Sequence, residues 1–191
     1  MADIFNAQLS PDKIDVIAEW LPQQVWARGI DLDSSPLEKV TAYRFDDPAA
    51  EVGVEIHIVR TGDRVFQIPL TYRGQPLENA EDAFVSEISH SVLGRRWVYD
   101  GLADPVFADQ LLRTISESGT SAKQYLVDDE GNKTEEITEV ALAQGTGPVA
   151  DATSFEVEHE LDLSAPAAPE PGRLLGTWDG QVQPVLLAKL V

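Results

Sequence analysis

Ile88-Ser89-His90-Ser91-Val92-Leu93-Gly94-Arg95-Arg96-Trp97-Val98-Tyr99-Asp100-Gly101 is the stretch on which the fold turns, together with Asp104-Pro105 just beyond it. Trp97, Val98 and Tyr99 are β-prone, so the segment predicts a strand, and residues 83–91 predict another leading into it. Asp104 then stands at an N-cap position, with Pro105 where a first helical residue belongs. Phe107, Leu111 and Ile115 follow at i, i+4, i+8, with Ala108 and Leu112 beside them, and Gly119 closes the helix. A strand pair running into a well-capped amphipathic helix is the signature of a mixed α and β chain.

Outward from this stretch the β signal continues. Val52, Val54, Ile56 and Ile58 alternate with Glu51, Gly53, Glu55 and His57, which predicts a strand with a polar outer face and His57 in solvent. Thr61-Gly62-Asp63 is a turn. Phe66, Ile68, Leu70 and Tyr72 alternate beyond it, so the two form a hairpin. Pro69 cannot donate to a ladder and predicts an edge strand or a bulge. Residues 37–45 give a further strand. Ser10-Pro11 predicts a second capped helix carrying Ile14, Ile17 and Leu21, stopped by Pro22. Residues 1–9 are a lead-in. Residues 122–143 predict a second hairpin turning at 128–132, and Phe155 to Leu161 a two-faced strand with His159 at a core or face position. Residues 164–172, with Pro166, Pro169 and Pro171, predict a semi-rigid tether. A final hairpin turns at Asp179-Gly180.

Composition bounds the function. The 191 residues suit one domain, and 43% hydrophobic content supports a core. Thirty-three acidic against fourteen basic residues give a net charge of −19, which disfavours nucleic acid and anionic membranes as partners. The absence of cysteine removes disulfides, thiolate catalysis and thiolate zinc sites. The first six residues place an acid where a signal peptide needs positive charge, and no long apolar run occurs, so a soluble, cytoplasmic protein is expected.

Catalytic and cofactor motifs fail on context. Gly145-Thr146-Gly147-Pro148-Val149-Ala150 matches a dinucleotide loop in letters only, because Pro148 interrupts it and a strand follows. Gly131-Asn132-Lys133-Thr134 lacks the first glycine of a phosphate loop. Asp31, Asp33 and Ser35 lack the later ligands of a calcium loop. The three histidines show no short ligand pair, so neither a metal nor a cofactor is expected. The residues that keep functional interest are Arg95, Trp97 and Tyr99, which share one strand face, with His90 nearby. A cation with two rings suits a sugar or a phosphorylated ligand. In so acidic a chain it equally suits a cation–π contact or an internal ion pair.

These residues also carry a resemblance. Glu19-Trp20-Leu21-Pro22-Gln23-Gln24-Val25-Trp26, the region of Tyr72-Arg73-Gly74, and His90 through Asp100 look like the N-terminal cap of actinobacterial maltokinases and its stand-alone relatives. Gly176-Thr177-Trp178-Asp179-Gly180-Gln181 and Val185-Leu186-Leu187-Ala188 fit the same group. Val25 departs from it, where the full enzymes are expected to carry arginine. The resemblance implies an α+β fold: a curved antiparallel sheet packed on an α-helix in a cystatin-like cap topology, here with a second helix and extra hairpins. It implies a single cap-like domain over 1–191, with the tether at 164–172 ahead of a C-terminal hairpin. In the full enzymes a kinase lobe follows the cap and makes maltose 1-phosphate. This sequence holds no H-x-D catalytic loop and no D-F-G-like magnesium site, so the expectation is a protein without kinase activity. Its expected role is regulator or scaffold in trehalose and α-glucan metabolism. The expected partner is an enzyme of that metabolism or a second copy of the chain. The alternative is a sugar or sugar-phosphate binding protein using the Arg95, Trp97 and Tyr99 face.

Overall fold

The long hairpin at residues 52–73 is the spine of the molecule, and everything else is placed by its two faces. A computed structural model describes residues 2–5, 7–128, 130 and 132–191. In chain order it comprises β1 (Ala2–Phe5), β2 (Leu9–Ser10), α1 (Lys13–Trp20), β3 (Glu38–Phe45), β4 (Val52–Thr61), β5 (Arg64–Arg73), β6 (Phe84–His90) and β7 (Gly94–Asp100). Then come α2 (Pro105–Ser116), β8 (Gln124–Val127), β9 (Lys133–Ile137), β10 (Leu142–Gly145), β11 (Phe155–Val157), β12 (Arg173–Trp178) and β13 (Gln181–Leu190). Six strands form a curved antiparallel sheet in the order β2-β6-β7-β5-β4-β3. A four-stranded sheet runs β10-β12-β13-β11 and a three-stranded one β1-β8-β9. The fold is therefore α+β, a curved, mainly antiparallel sheet packed on helices, as expected. Among the described residues no helix is long and apolar enough to cross a membrane.

Helix α2 lies on one face of the large sheet. Asp104 caps it, its Oδ1 accepting from the Val106 amide at 2.9 Å. Phe107, Leu111 and Ile115 bury against Tyr43, Phe45, Val54 and Ile56 of the sheet and against Leu174, Val185 and Leu187 of the four-stranded sheet. Each such side chain contributes roughly 1.5–3 kcal/mol by leaving water. The closest approach is at Gly145 of β10. A Cβ there would stand 2.1 Å from the Thr114 carbonyl oxygen, so only glycine lets β10 lie against α2. Gln67 of β5 ties the two sheets together, its side-chain amide donating to the carbonyls of Leu187 at 2.9 Å and Glu158 at 3.1 Å.

Helix α1 lies on the opposite face. Val16, Ile17 and Leu21 pack with Val59, Phe66, Ile68, Leu70, Ile88 and Val98. The large sheet is thus covered on both sides, and this corrects several expectations. Glu55 and His57, expected on a polar outer face, are 5% and 3% exposed because α1 covers that face. The cap of α1 is Asp12, accepting from the Ile14 amide, rather than Ser10, so the helix begins two residues later than the Ser-Pro pair suggested.

Pro69 is not on an edge strand, since β5 lies between β4 and β7. It is tolerated because β7 pairs with β5 only from Leu70 onward. The Gln67 amide, two residues earlier on the same side, donates to the His159 carbonyl instead. The missing N–H of Pro69 falls between those two partners.

Two other elements are shorter than expected. Strand β11 ends at Val157, because the chain then leaves β13 and crosses to β5, where the Leu161 amide donates to the Val65 carbonyl. The hairpin expected over 122–143 pairs only β8 with β9, and Ala143 belongs to β10 of the other sheet. Of its turn, Asp129 and Gly131 lie outside the described residues. The lead-in is also structured, β1 pairing in parallel with β8. Residues 164–172 carry no strand or helix, but the Ala167 amide donates to the Pro184 carbonyl at 2.7 Å.

Candidate functional site

Strand β7 presents its residues alternately to the two faces, and this separates the residues singled out in the sequence. Arg95, Trp97 and Tyr99 share the α2 side, as alternation requires. Tyr99 is buried, and its hydroxyl accepts from the Leu77 amide at 3.0 Å. Its ring stands edge-on to Phe84 at 5.7 Å. Arg95 lies 5.6 Å over the Trp97 ring and pairs with Glu87 at 3.2 Å. Arg95 stays exposed and Trp97 half-buried. His90 is on the other face with Arg96, and the structure does not bring it together with the other three.

The face holding His90 gathers charge. Lys13, the first residue of α1, extends its ammonium to 2.5 Å from Glu55 Oε2, and Arg44 of β3 bonds the same oxygen. Register explains the second contact, since Arg44 stands opposite Glu55 in the β3–β4 ladder. His57 lies with its Nδ1 3.9 Å from Glu55 Oε1 and its Nε2 2.9 Å from the Tyr72 hydroxyl. The Lys13 ammonium sits 5.0 Å from the centre of the Tyr72 ring, a cation–π contact.

These groups titrate away from their ordinary values for stated reasons. Burial works to raise Glu55, but the charges of Arg44, Lys13 and His57 outweigh it and hold the carboxyl well below the usual range. Burial is the main cause that lowers His57 to about 4, with Lys13 and Arg44 adding to it against Glu55. It is therefore neutral at pH 7. Lys13 is lowered by burial and by Arg44 despite Glu55. A quarter of its side chain still reaches water, and its carboxylate partner is adjacent.

Above this cluster opens a cleft of about 410 Å³ between β1, the start of α1, the β3–β4 turn and the β6–β7 turn. Lys13, Arg44, Tyr72, His90 and Arg96 all line it. His90 Nδ1 accepts from the amides of Val92 at 3.2 Å and Leu93 at 3.0 Å, closing the β6–β7 turn. That leaves the proton of the neutral ring on Nε2. Burial lowers His90, and the charges of Arg96, Lys13 and Arg44 lower it further. Among the described residues no group of three or more histidine, aspartate or glutamate side chains is arranged to hold a metal.

Reasoning from sequence passed over Lys13, Arg44, Glu55 and Tyr72. A readable signal did exist: Glu55 and His57 interrupt one face of the most strongly β strand, and Tyr72 stands on the matching face of its hairpin partner. What the sequence could not reveal is that α1 would bring Lys13 down onto them.

Residues 20–104 match the family model of the maltokinase N-terminal cap domain, in line with the resemblance seen in the sequence. The matched segment covers a little under half of the chain, from the end of α1 through β3 to β7 and up to the cap of α2. No curated protein matches the chain.

Proposed function

We propose that this chain is a non-catalytic, cap-like protein module serving trehalose and α-glucan metabolism, and that it acts on an enzyme partner as regulator or scaffold. The observation that carries this is the match of residues 20–104 to a cap domain rather than to a kinase lobe. Two features support it. The sequence has none of the loops that position nucleotide, magnesium and acceptor for phosphoryl transfer, a reaction that depends almost wholly on such positioning. The buried Glu55 is paired with two cations and the buried His57 is bonded to the half-buried Tyr72, which suits a structural cluster better than a free acid and base.

The test is co-purification followed by an activity assay. Tagged chain is recovered from its native cytosol, the bound proteins are identified, and any enzyme of trehalose or α-glucan metabolism among them is assayed with and without the purified chain. The expected result is recovery of such an enzyme and a change in its rate. Turnover of ATP by the purified chain with maltose or trehalose would overturn the proposal. So would an associated enzyme whose rate and stability the chain leaves unchanged, or failure to recover one.

A further inference from the structure

The cleft brings together three basic side chains of a chain that has only fourteen. Net charge is −19, yet Lys13, Arg44 and Arg96 line it together, alongside Asp3, Asp46, Asp47 and Glu51, and behind Lys13 and Arg44 stands one further carboxylate, Glu55. That carboxylate is shared by Lys13 and Arg44. Arg96 makes no ion pair among the described residues, and its Nη1 donates only to the Arg95 carbonyl at 3.2 Å. The Nε of Arg44 is buried with no hydrogen-bond partner there. Buried or half-buried donors left open are costly unless something accepts from them.

Four acids line the same cleft, Asp3, Asp46, Asp47 and Glu51. The carboxylate of Asp47 is taken by the amides of Ala49, Glu51 and Val52, and Asp3 pairs with Lys133 at 3.2 Å. Asp46 and Glu51 stand at the two ends of the β3–β4 turn. Arg96, Lys13 and His90 offer a guanidinium, an ammonium and an imidazole Nε2–H, all donors, and Glu51 at the β3–β4 turn offers carboxylate oxygens, all acceptors. Donors clustered in this way suit a tetrahedral oxyanion, and Arg binds phosphate with particular geometric fit. Acceptors at the turn suit hydroxyl groups. The volume falls within the range of small-molecule sites.

We infer that this cleft binds a small phosphate ester, with the phosphate on Arg96, Lys13 and His90 and a hydroxyl-bearing body directed toward the β3–β4 turn. The site is distinct from the Arg95, Trp97 and Tyr99 row, which lies on the other face of β7.

Calorimetric titration of the full chain at pH 7.5 and low ionic strength tests this with three probes: glucose 6-phosphate, inorganic phosphate and glucose. The expected order is ester tighter than phosphate, with no heat from glucose. Arg96→Gln should weaken the ester at least fivefold, and Lys13→Met should do the same if its melting temperature stays near the wild-type value. Arg95→Gln, on the other face, should leave affinity unchanged. About 0.5 M salt should weaken binding, since partly exposed charges are screened within a few ångströms at that strength. Any of four results overturns the inference: no heat with either phosphate probe, glucose binding as tightly as its ester, phosphate binding as tightly as the ester, or ester affinity indifferent to Arg96→Gln in a folded protein. A partner enzyme that fails to appear would leave this result untouched, so the two proposals fail separately.

Discussion

The two faces of the six-stranded sheet are built from the same strands and yet differ in kind. On the α2 side, Tyr43, Phe45, Val54, Ile56 and Ile58 meet Phe107, Leu111 and Ile115 in a dry, continuous core that also takes in the four-stranded sheet. On the α1 side the core is apolar only toward one end, where Ile17, Leu21, Phe66 and Ile68 pack. Toward the other end it gives way to Glu55, His57, Arg44, Lys13 and the cleft. One period-2 alternation therefore writes two chemistries, and α1 decides which polar residues are buried. The face that holds the fold together and the face that carries unsatisfied charge can be perturbed independently.

The largest effect should come from the dry face. Phe107→Ala removes a fully buried ring from the junction of helix and both sheets, and should cost about 4 kcal/mol in urea or guanidinium unfolding. A loss below about 1 kcal/mol would mean that α2 is not the keystone of that core.

Acid should act through the other face. The folded value of His57 is lowered from 6.5 to about 4, so below pH 6.5 the unfolded chain binds the proton first and stability falls. The loss runs from pH 6.5 down to about 4 and reaches about 3 kcal/mol at most, at 1.36 kcal/mol per unit. His90 and His159 are lowered as well and pull in the same direction. Glu55 has its own window. Its depressed value means that its contribution is present above the unfolded value near 4.5 and is lost as pH falls below it. Chemical unfolding at a series of pH values should therefore show two stages, and His57→Gln should flatten the upper one. A wild-type curve level between pH 6.5 and 5 would contradict the burial of a neutral His57.

Glu55→Gln should cost about 2 kcal/mol at pH 7, because it leaves Lys13 and Arg44 on a half-buried face without their shared carboxylate. The figure is kept below that of a fully buried pair because both cations still reach water. Arg95→Gln should cost under about 0.5 kcal/mol, since its pair with Glu87 is exposed. If Arg95 proved the costlier of the two, the ranking of the faces would be inverted.

Much of the fold was legible where local signals suffice. The 52–73 hairpin, the strand ending at Asp100, α2 with its Asp104 cap and the turn at Asp179-Gly180 all announce themselves through alternation, capping or turn chemistry. Contacts joining distant segments were not legible. Strand β1 takes its structure from β8, more than a hundred residues away, and no local pattern encodes a parallel partner. The site suffered in the same way. His90 was named from its sequence neighbours Arg95, Trp97 and Tyr99, but β7 alternation sends those three to one face while His90 shares the other with Arg96. Glu55 and His57 read as solvent-facing because alternation reports two faces without reporting that both are covered.

The most direct test of this division of labour is a map of backbone amide chemical shifts on titration with glucose 6-phosphate. The predicted result is that changes concentrate at Lys13, Arg44, Tyr72, His90 and Arg96, with Phe107, Leu111, Ile115, Trp97 and Tyr99 unmoved. Changes centred on Arg95, Trp97 and Tyr99, or no changes at all, would contradict it.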